Sequence, residues 1–302
     1  MRFRTDRGRV LADDISFRVV ELSAAEYPSK LEHLPDPPER IWVAGRPLDR
    51  LTPAVAIVGT RTPTPYGREV AHGLAMDFAT AGVCVVSGLA RGIDSEAHSG
   101  ALTRGTTIAV LPGGVDVCYP SSNRDLYAEI ADRGALIAEY EPGTNTRKHR
   151  FTHRNRLIAA LSLATIVVQA GERSGALSTA RHALSIGRDV FAVPGDIRAD
   201  VSRGPHELLR DGAAPCTCAG DVLDRIGVEI EREVSMRDLE DSGDRSSEDR
   251  SVLELLGRQT LSAETIAAMT GLSGGVLASV LVGLELDGWI ACGPGGSVRR
   301  LR

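Results

Sequence analysis

The segment RKHRFTHRNR, residues 147–156, surrounds one aromatic ring with basic side chains and contains no acidic residue. That ring is Phe151, in a chain of 302 residues whose formal net charge at pH 7 is −5. An aromatic ring stacks on the bases of a single strand, while neighbouring cations neutralise its phosphates. The segment therefore predicts contact with single-stranded nucleic acid. The plainer alternative, a solvated patch of charge, is disfavoured by Phe151 and by the helical pattern RNRLIAALS that follows it.

Turns rich in glycine and small polar residues follow several apolar runs of the chain. AVAIV leads into GTR at 59–61, VCVV leads into SGLARG at 87–92, and ATIVVQA leads towards ERSG at 172–175. Glycine lets the backbone approach a ligand closely, and both guanidinium groups and the N–H groups at a helix start bind phosphate. Most single turns of this kind only connect two elements. Several of them at one edge favour an extended anionic ligand.

An acid–base pair is the competing chemistry in the same region. Asp94 and His98 lie four positions apart, hence on one face of a predicted helix, where a general acid and base would be close together. The alternative is that Asp94 orients the preceding ARG loop and that His98 packs beneath it. No GxSxG nucleophile elbow surrounds Ser87 or Ser174. We assign no catalytic residue and expect a protein that is not an enzyme.

Short apolar runs alternate with helical stretches from about residue 51 onwards. Continuous apolar runs indicate strands that are buried on both faces, as in a parallel sheet covered by helices. The expected fold is a doubly wound α/β domain, in which ligands bind beyond the carboxyl ends of the strands. The predicted strands are 54–59, 83–88, 106–111, 135–140, 164–170 and 189–195.

The C-terminal part has a different character. Residues 228–249 are charged and poor in core-forming residues, so they predict a solvated linker. In residues 250–302 a helix, a helix capped by Ser262, a TGLS turn, a further helix and a hairpin are predicted, which is typical of a winged helix-turn-helix. The last of these helices offers Glu285 and Asp287 and no basic residue. That composition argues against a transcription regulator that reads the major groove.

The composition predicts a globular cytoplasmic protein. Apolar residues make up 42% and charged residues 25% of the chain. The first residues lack the apolar core of a signal peptide, and no apolar run approaches the roughly 18 residues of a membrane span. The five cysteines show no disulfide or zinc spacing, which suits a reducing compartment. The GxGxxG and GxxxxGK[ST] motifs are absent, so we expect no cofactor. We expect no metal either, because CTC at 216–218 has no second cysteine pair and arginines beside His149 and His153 oppose a cation.

Seven motifs in a fixed order carry a family resemblance. VAIVGTR, VVSGLARGIDSEAHSGAL, TIAVLPGGVDVCYP, FTHRNRLIAALS, SGALSTARHAL, VFAVPG and GPHELLRDGA resemble the DprA/Smf family of DNA-processing proteins. The resemblance covers about residues 28–227, and the C-terminal part is similar to the optional winged-helix domain of that family. Residues 1–27 stand where many relatives carry a SAM-like domain, which is missing from this sequence.

The resemblance implies an extended Rossmann-type fold with a doubly wound, mostly parallel sheet. It also implies binding of single-stranded DNA without catalysis, a homodimer, no membrane, and loading of the RecA recombinase during natural transformation. Arg61, Lys148 and Phe151 are the leading DNA contacts that it implies. The full DNA-binding set implied by the resemblance is Gly59, Thr60, Arg61, Ser87, Gly88, Arg91, Gly92, Lys148, Phe151, Arg154, Asn155, Arg156, Ser174 and Gly175.

The helix around HELLRDGA is similar to the dimerisation surface of the family. The interface residues implied are His206, Leu208 and Leu209, and the alternative is that both leucines pack on the sheet of their own chain. Two positions of the DNA-binding region depart from the family pattern. Ser121 stands where some relatives have lysine after YP, and Thr152 stands where the family usually has proline.

The strongest competing assignment is a phosphoribohydrolase of the lysine-decarboxylase-like Rossmann group. Those enzymes use a PGGxGTxxE signature to hold phosphate and to catalyse. The corresponding stretch at 112–120 is PGGVDVCYP, which shares only the first three letters and lacks the threonine and glutamate. Binding to oligo-dT, compared with release of free base from nucleoside monophosphates, discriminates between the two assignments.

Overall fold

The computed structural model of the chain describes residues 15–228, 246–256, 260–293 and 296–300. The chain divides at residue 230 into two compact units. The first unit contains a nine-stranded mixed sheet, and the second contains a three-stranded antiparallel sheet with helices. The predicted class, a mostly parallel α/β domain with a small C-terminal winged-helix domain, is confirmed.

In the large sheet, the strands that follow the third strand along the chain are added first on one side of it and then on the other. The strands are β1 Phe17–Glu21, β2 Arg40–Gly45, β3 Ala54–Val58, β4 Cys84–Ser87, β5 Thr107–Gly114, β6 Ala135–Tyr140, β7 Ala164–Val167, β8 Asp189–Ala192 and β9 Ala214–Pro215. Their order across the sheet is β1-β2-β6-β5-β4-β3-β7-β8-β9. The six predicted strands are β3 to β8, and each pairs in parallel with its neighbours among them. The winding reverses between β3 and β7, which makes this a doubly wound sheet.

Strand β3 shows why the central strands are uniformly apolar. All five residues of Ala54–Val58 are buried. Val55 and Ile57 pack into the core on one face of the sheet, and Ala56 and Val58 pack into the core on the opposite face. Helices therefore cover both faces. They are α1 Ser29–Glu32, α2 Pro65–Thr80, α3 Ile93–Arg104, α4 Arg124–Arg133, α5 Lys148–Leu161, α6 Ala176–Ser185, α7 Arg203–Arg210 and α8 Ala219–Ile226.

Three strands of the sheet were not predicted. β1 pairs antiparallel with β2, and β2 pairs antiparallel with β6, so the sheet is mixed at this end. β1 lies at the sheet edge with most of its side chains exposed, and the two-residue β9 is exposed at the other edge. Neither has the continuous apolar character that marks a buried strand. Because β1 begins at Phe17, the sheet starts before the predicted domain boundary at residue 28.

The second unit contains the predicted helix-turn-helix with a wing. Ser262 caps its second helix, since the Ser262 hydroxyl oxygen accepts a hydrogen bond from Thr265 N at 3.1 Å. Residues 229–245, most of the predicted linker, lie outside the described residues. The first helix begins at Ser247, before the predicted end of the linker at residue 249. The elements are α9 Ser247–Leu256, β10 Thr260–Ser262, α10 Ala263–Thr270, α11 Gly274–Leu286, β11 Ile290–Gly293 and β12 Ser297–Arg300.

No single helix in the described part of the chain is long and apolar enough to cross a membrane. The consecutive helices α10 and α11 reach the required length and composition only together, and the chain bends by 116° between them.

Candidate nucleic-acid interface

The carboxyl ends of strands β3 to β7 meet along one edge of the large sheet, where ligands of such sheets bind. We call the surface formed by the following loops the rim. The rim consists of residues 59–64, 88–92, 115–123, 141–147 and 168–175. Each residue of the expected DNA-binding set lies in one of these loops, at the end of β4 or in helix α5.

Side chains of helix α3 hold the backbone of the loop that follows β4. Gly88 N and Ala90 N donate to Oδ2 of Asp94, at 3.2 and 3.3 Å. Leu89 N donates to Nε2 of His98 at 3.3 Å, and Leu89 has a φ of 54°, which is uncommon for a residue with a side chain. Three consecutive backbone N–H groups are thus fixed by two buried side chains. The structure agrees with the interpretation in which Asp94 orients the loop and His98 packs beneath it, because both side chains accept hydrogen bonds from the loop backbone.

The His98 ring is neutral and its tautomer is defined by its partners. Nδ1 lies 2.7 Å from Oγ1 of Thr107, and the Thr107 hydroxyl donates to the carbonyl oxygen of Val85 at 2.6 Å. Because that hydroxyl proton is committed to Val85, we assign the ring proton to Nδ1, which leaves Nε2 to accept from Leu89. Burial lowers the pKa of His98 to about 3, and the charge of Arg154 acts in the same direction.

The guanidinium of Arg154 lies beneath the same loop, with only 4% of the residue exposed. Its Nη1 donates to the carbonyl oxygen of Gly88 at 2.9 Å and also to that of Val110. Burial lowers the pKa of Arg154 to about 10 although the Asp94 carboxylate opposes this effect. Burial likewise raises the pKa of Asp94, against the effect of Arg154. The Ser87 hydroxyl also points inwards, to a carbonyl oxygen of β3 at 2.6 Å.

The loop after β3 packs directly on the loop after β4. Thr60 N donates to the carbonyl oxygen of Gln169 at 2.6 Å, and the carbonyl oxygen of Thr60 accepts from Ile93 N at 3.2 Å. Gly92 has a φ of 84°, and a Cβ there would overlap the Thr60 carbonyl oxygen. A Cβ on Gly59 would overlap the side chain of Ile93. Both glycines are therefore required for the packing of the two loops.

Cationic and aromatic side chains occupy the surface of the rim above these buried contacts. The guanidinium carbon of Arg61 lies 5.1 Å from the centre of the Phe151 ring, within the range of a cation–π contact. Arg61 is exposed and Phe151 is half-buried. Arg91 is exposed, and its Nε donates to the hydroxyl oxygen of Ser122 at 3.4 Å. Lys148 is exposed in the first turn of α5.

The basic segment 147–156 does not form the continuous charged surface that its sequence suggests. Arg156 is buried and forms an ion pair with Glu139, so its charge is compensated inside the protein. The guanidinium carbon of Arg150 lies 4.4 Å from the centre of the Tyr140 ring. The reason is that α5 packs one face on the sheet, which carries part of the segment into the core. The exposed cations of the segment are Arg147 and Lys148.

Asn155 holds the start of helix α6. Its Nδ2 donates to the carbonyl oxygen of Gly175 at 3.1 Å and to the hydroxyl oxygen of Ser178 at 2.8 Å. The Ser174 hydroxyl oxygen accepts from Ala176 N at 3.3 Å, and Gly175 is exposed. Neither α5 nor α6 has an acidic residue in its first turn, so no carboxylate there offsets the positive end of the helix dipole. Such helix starts favour a bound anion.

Two polar residues that hold the rim were missed in the sequence. Gln169 lies at the end of an apolar run, and its side chain accepts from Thr64 N at 3.0 Å and donates to Thr64 Oγ1 at 2.8 Å. Its polarity within that run is a signal that could have identified it. Asn123 donates from Nδ2 to the Leu89 carbonyl oxygen and to Ser95 Oγ, both at 2.9 Å. Nothing in the local sequence pattern marks Asn123.

The residues expected at a dimer interface lie in or next to helix α7. Leu208 is 8% exposed and packs in the core of its own chain, as the alternative for this residue predicts. Leu209 is partly buried and packs against the same core from outside. His206 Nε2 lies 3.1 Å from the carbonyl oxygen of Gly195. Leu209 and His206 therefore keep exposed surface, whereas Leu208 has almost none.

The two buried thiols, Cys84 and Cys216, do not have the character of nucleophiles. Burial raises the pKa of Cys84 and that of Cys216 to about 12, so both stay protonated at neutral pH. Among the described residues, no three or more histidine, cysteine, aspartate or glutamate side chains come together in a way that could hold a metal ion.

Two family models match the chain. The model for DNA recombination-mediator protein A matches residues 18–227, and the model for the DprA winged helix domain matches residues 240–296. The chain is 43% identical over 267 residues to a protein of Mycobacterium tuberculosis described as a putative DNA processing protein DprA, covering 84% of this chain and 67% of that protein. It is 38% identical over 222 residues to the DNA processing protein DprA of Bacillus subtilis, covering 72% and 75% respectively.

Solved structures of similar proteins share the fold. The X-ray structure of DNA processing protein A from Streptococcus pneumoniae superposes with a TM-score of 0.66 at 39% identity, covering 69% of this chain and 74% of that one. A structure of DNA processing protein A from Helicobacter pylori, solved to study its single-stranded DNA binding mode, superposes with a TM-score of 0.64 at 33% identity. That superposition covers 70% of this chain and 96% of the Helicobacter chain.

Proposed function

We propose that this chain, which belongs to the DNA recombination-mediator protein A family, also called DprA/Smf, binds single-stranded DNA along the rim without altering it chemically. The observation that carries the proposal is the exposed Arg61 guanidinium over the Phe151 ring, with Arg91 and Lys148 on the same surface. Cations and an aromatic ring together provide what a single strand offers for recognition, phosphates and base faces. The structure of the Helicobacter relative, described for its single-stranded DNA binding mode, supports the same ligand.

The expected DNA-binding residues divide into two roles under this proposal. The exposed or partly exposed members, Arg61, Arg91, Lys148, Phe151 and Gly175, contact the strand. The buried members hold the loops in the shape that the strand requires, because each is engaged by contacts within the protein and has little exposed surface. These positioning residues are Ser87, Gly88, Gly92, Arg154, Asn155 and Arg156, and Gly59, Thr60 and Ser174 hold the loops from half-buried positions.

A comparison of DNA forms tests the proposal. Gel-shift titrations of the purified chain with oligo-dT and with a duplex of equal length should show preference for the single strand and little dependence on base sequence. Equal affinity for both forms across a salt titration would refute single-strand preference. Release of free base from nucleoside monophosphates by the same preparation would instead support the phosphoribohydrolase assignment.

The family supports a further role downstream of DNA binding. We propose that the chain acts as a cytoplasmic homodimer that protects incoming single-stranded DNA and loads the RecA recombinase onto it during natural transformation. The family description, recombination mediator, supports this role. The test is the rate of RecA assembly on oligo-dT that is pre-coated with a single-strand-binding protein, with and without the chain. An unchanged rate at saturating concentration would remove RecA loading from the proposal while leaving DNA binding in place.

We propose that the chain consists of a DNA-binding domain, a linker and a winged-helix domain. Residues 28–227, with the preceding strand β1, form the DNA-binding domain, residues 228–249 a linker, and residues 250–302 the winged-helix domain. A chain truncated after residue 227 should keep its affinity for single-stranded DNA if this division is correct. A large loss of affinity on truncation would assign part of the DNA surface to the C-terminal unit.

A further inference from the structure

Tyr119 presents a second aromatic ring on the rim, next to Phe151. The residue follows β5 and leaves 45% of its surface exposed. Its ring centre lies 5.5 Å from that of Phe151, with an angle of 67° between the two planes. This is the edge-to-face arrangement that aromatic pairs favour. A ring from the loop after β5 and a ring from helix α5 therefore meet on the surface where Arg61 and Lys148 lie.

The Phe151 ring is already partly covered in this structure. Arg61 lies over the ring and Tyr119 contacts it, and Phe151 is only half-exposed. Tyr119 is covered less than its neighbour, so it offers the larger free aromatic surface of the pair. If a single strand stacked a base only on Phe151, the exposed face of the Tyr119 ring would remain in water beside the neighbouring bases.

The loop that carries Tyr119 is held in place by buried contacts. Pro120 is buried, and the short 3-10 helix Ser121–Asn123 follows it. Asn123 ties this helix to the loop after β4 through its bond to the Leu89 carbonyl oxygen at 2.9 Å. A stacking ring on an anchored loop loses less conformational entropy on binding than one on a free loop.

A further cation, Arg91, contacts the loop that carries Tyr119. The Arg91 Nε donates to Ser122 Oγ at 3.4 Å, so its guanidinium lies beside the loop that carries Tyr119. Arg61 lies over the Phe151 ring. The surface thus combines two aromatic rings with two arginines. Adjacent nucleotides of a single strand present bases and phosphates, which rings and cations of this kind bind.

We propose that Tyr119 forms a second nucleobase site, which stacks on the base next to the one held by Phe151. The inference rests on the proposed function, because it assumes that the rim binds single-stranded DNA. Its ligand is a nucleobase of any identity, since the ring offers an apolar face and no pattern of donors and acceptors that would select one base. The Tyr119 hydroxyl is not required for stacking.

Binding of oligo-dT to three variants tests the site. Tyr119→Ala should weaken binding by about fivefold to 150-fold, which corresponds to about 1–3 kcal/mol for one stacked base. Tyr119→Phe keeps the ring and should bind as the unmodified chain does. Phe17→Ala is the matched control, because Phe17 is also an exposed aromatic residue, at 42%, on the distant edge strand β1. The salt dependence should stay unchanged in all three variants, since none removes a charge.

A double variant separates a base-stacking role from support of Phe151. If Tyr119 only supported Phe151, Tyr119→Ala would have no further effect once Phe151→Ala was present. A second nucleobase site requires an additional loss in that background, and it requires crosslinking of 5-iodouracil oligonucleotides to Tyr119. Wild-type affinity in Tyr119→Ala, or no additional loss in the double variant, would overturn the inference. Failure of the unmodified chain to bind oligo-dT would instead overturn the proposed function.

Discussion

Arg154 donates from Nη1 to the carbonyl oxygen of Gly88 at 2.9 Å, across 66 positions of the chain. The bond joins a helix that packs on the sheet to a loop on the rim, and the donor is charged and buried. Hydrogen bonds from a charged donor are stronger than those between neutral groups. Part of the positive charge in the sequence of α5 therefore lies inside the protein. There Arg154 holds the loop beneath the surface on which Arg61 and Lys148 lie.

Arg154→Ala should destabilise the fold by about 1–3 kcal/mol, because it leaves the carbonyl oxygen of Gly88 without its charged donor. Urea denaturation followed by circular dichroism measures the change. Arg147→Ala, at an exposed position of the same segment, should stay within about 0.5 kcal/mol. Normal stability of Arg154→Ala combined with lost DNA binding would show that Arg154 contacts the strand directly.

Replacing either exposed cation should reduce phosphate neutralisation. Arg61→Ala and Lys148→Ala should each weaken binding to oligo-dT and lower the slope of log affinity against log salt by about one. Arg40→Ala is the matched control, because Arg40 is exposed on the distant strand β2. Unchanged affinity and slope in both rim variants would contradict the location of the DNA site.

Two glycines of the rim should respond differently to alanine. Gly88→Ala brings a Cβ into the guanidinium of Arg154, so we expect loss of stability by about 1–3 kcal/mol and loss of DNA binding with it. Gly175→Ala meets no atom within 4 Å, so the fold should tolerate it. If the strand approaches the start of α6 closely, Gly175→Ala should lower affinity at unchanged stability. Wild-type affinity in Gly175→Ala would remove the start of α6 from the DNA site.

The neutral His98 ring predicts a loss of stability in acid. In the folded chain the pKa of His98 is about 3, below the ordinary value of 6.5. Between these two pH values the unfolded chain binds a proton at His98 and the folded chain does not. The contribution of His98 is fully present above pH 6.5 and falls by about 1.4 kcal/mol per pH unit as the pH drops from there towards 3. Urea titrations at pH 7, 6 and 5 on the chain and on His98→Gln should give a shallower pH dependence for the variant. Identical slopes would contradict the burial of a neutral histidine.

Substitutions of two adjacent leucines in helix α7 should affect folding and dimerisation differently. Leu208→Ala opens a cavity in the core and should cost about 2–5 kcal/mol in the free energy of unfolding. Leu209→Glu places like charges across the two-fold axis of the proposed dimer and should give a folded monomer with weaker DNA binding, because one strand then meets a single rim. Light scattering with circular dichroism measures both properties. A dimer that survives Leu209→Glu would refute the proposed interface.

The central strands were predictable because burial on both faces leaves a continuous apolar run, as in Ala54–Val58. The edge strand Phe17–Glu21 mixes apolar and charged residues and pairs with a single neighbour, so no such run marks it. The inward position of Arg154 could have been read from spacing, since Leu157, Ile158 and Leu161 follow it at helical intervals on the buried face. The contact between Tyr119 and Phe151 could not have been predicted from the sequence, because it depends on how the loop after β5 meets helix α5 in space.

The three N–H groups of Gly88, Leu89 and Ala90 all end on buried side chains of α3. Binding loops usually exchange their amide hydrogens through small local openings, at a free energy far below that of global unfolding. Here an opening of the loop must break bonds to a core helix, so these amides should exchange as slowly as those of the central strands. This part of the proposed DNA-binding surface then belongs to the last region of the protein to unfold, and its shape persists for as long as the fold does.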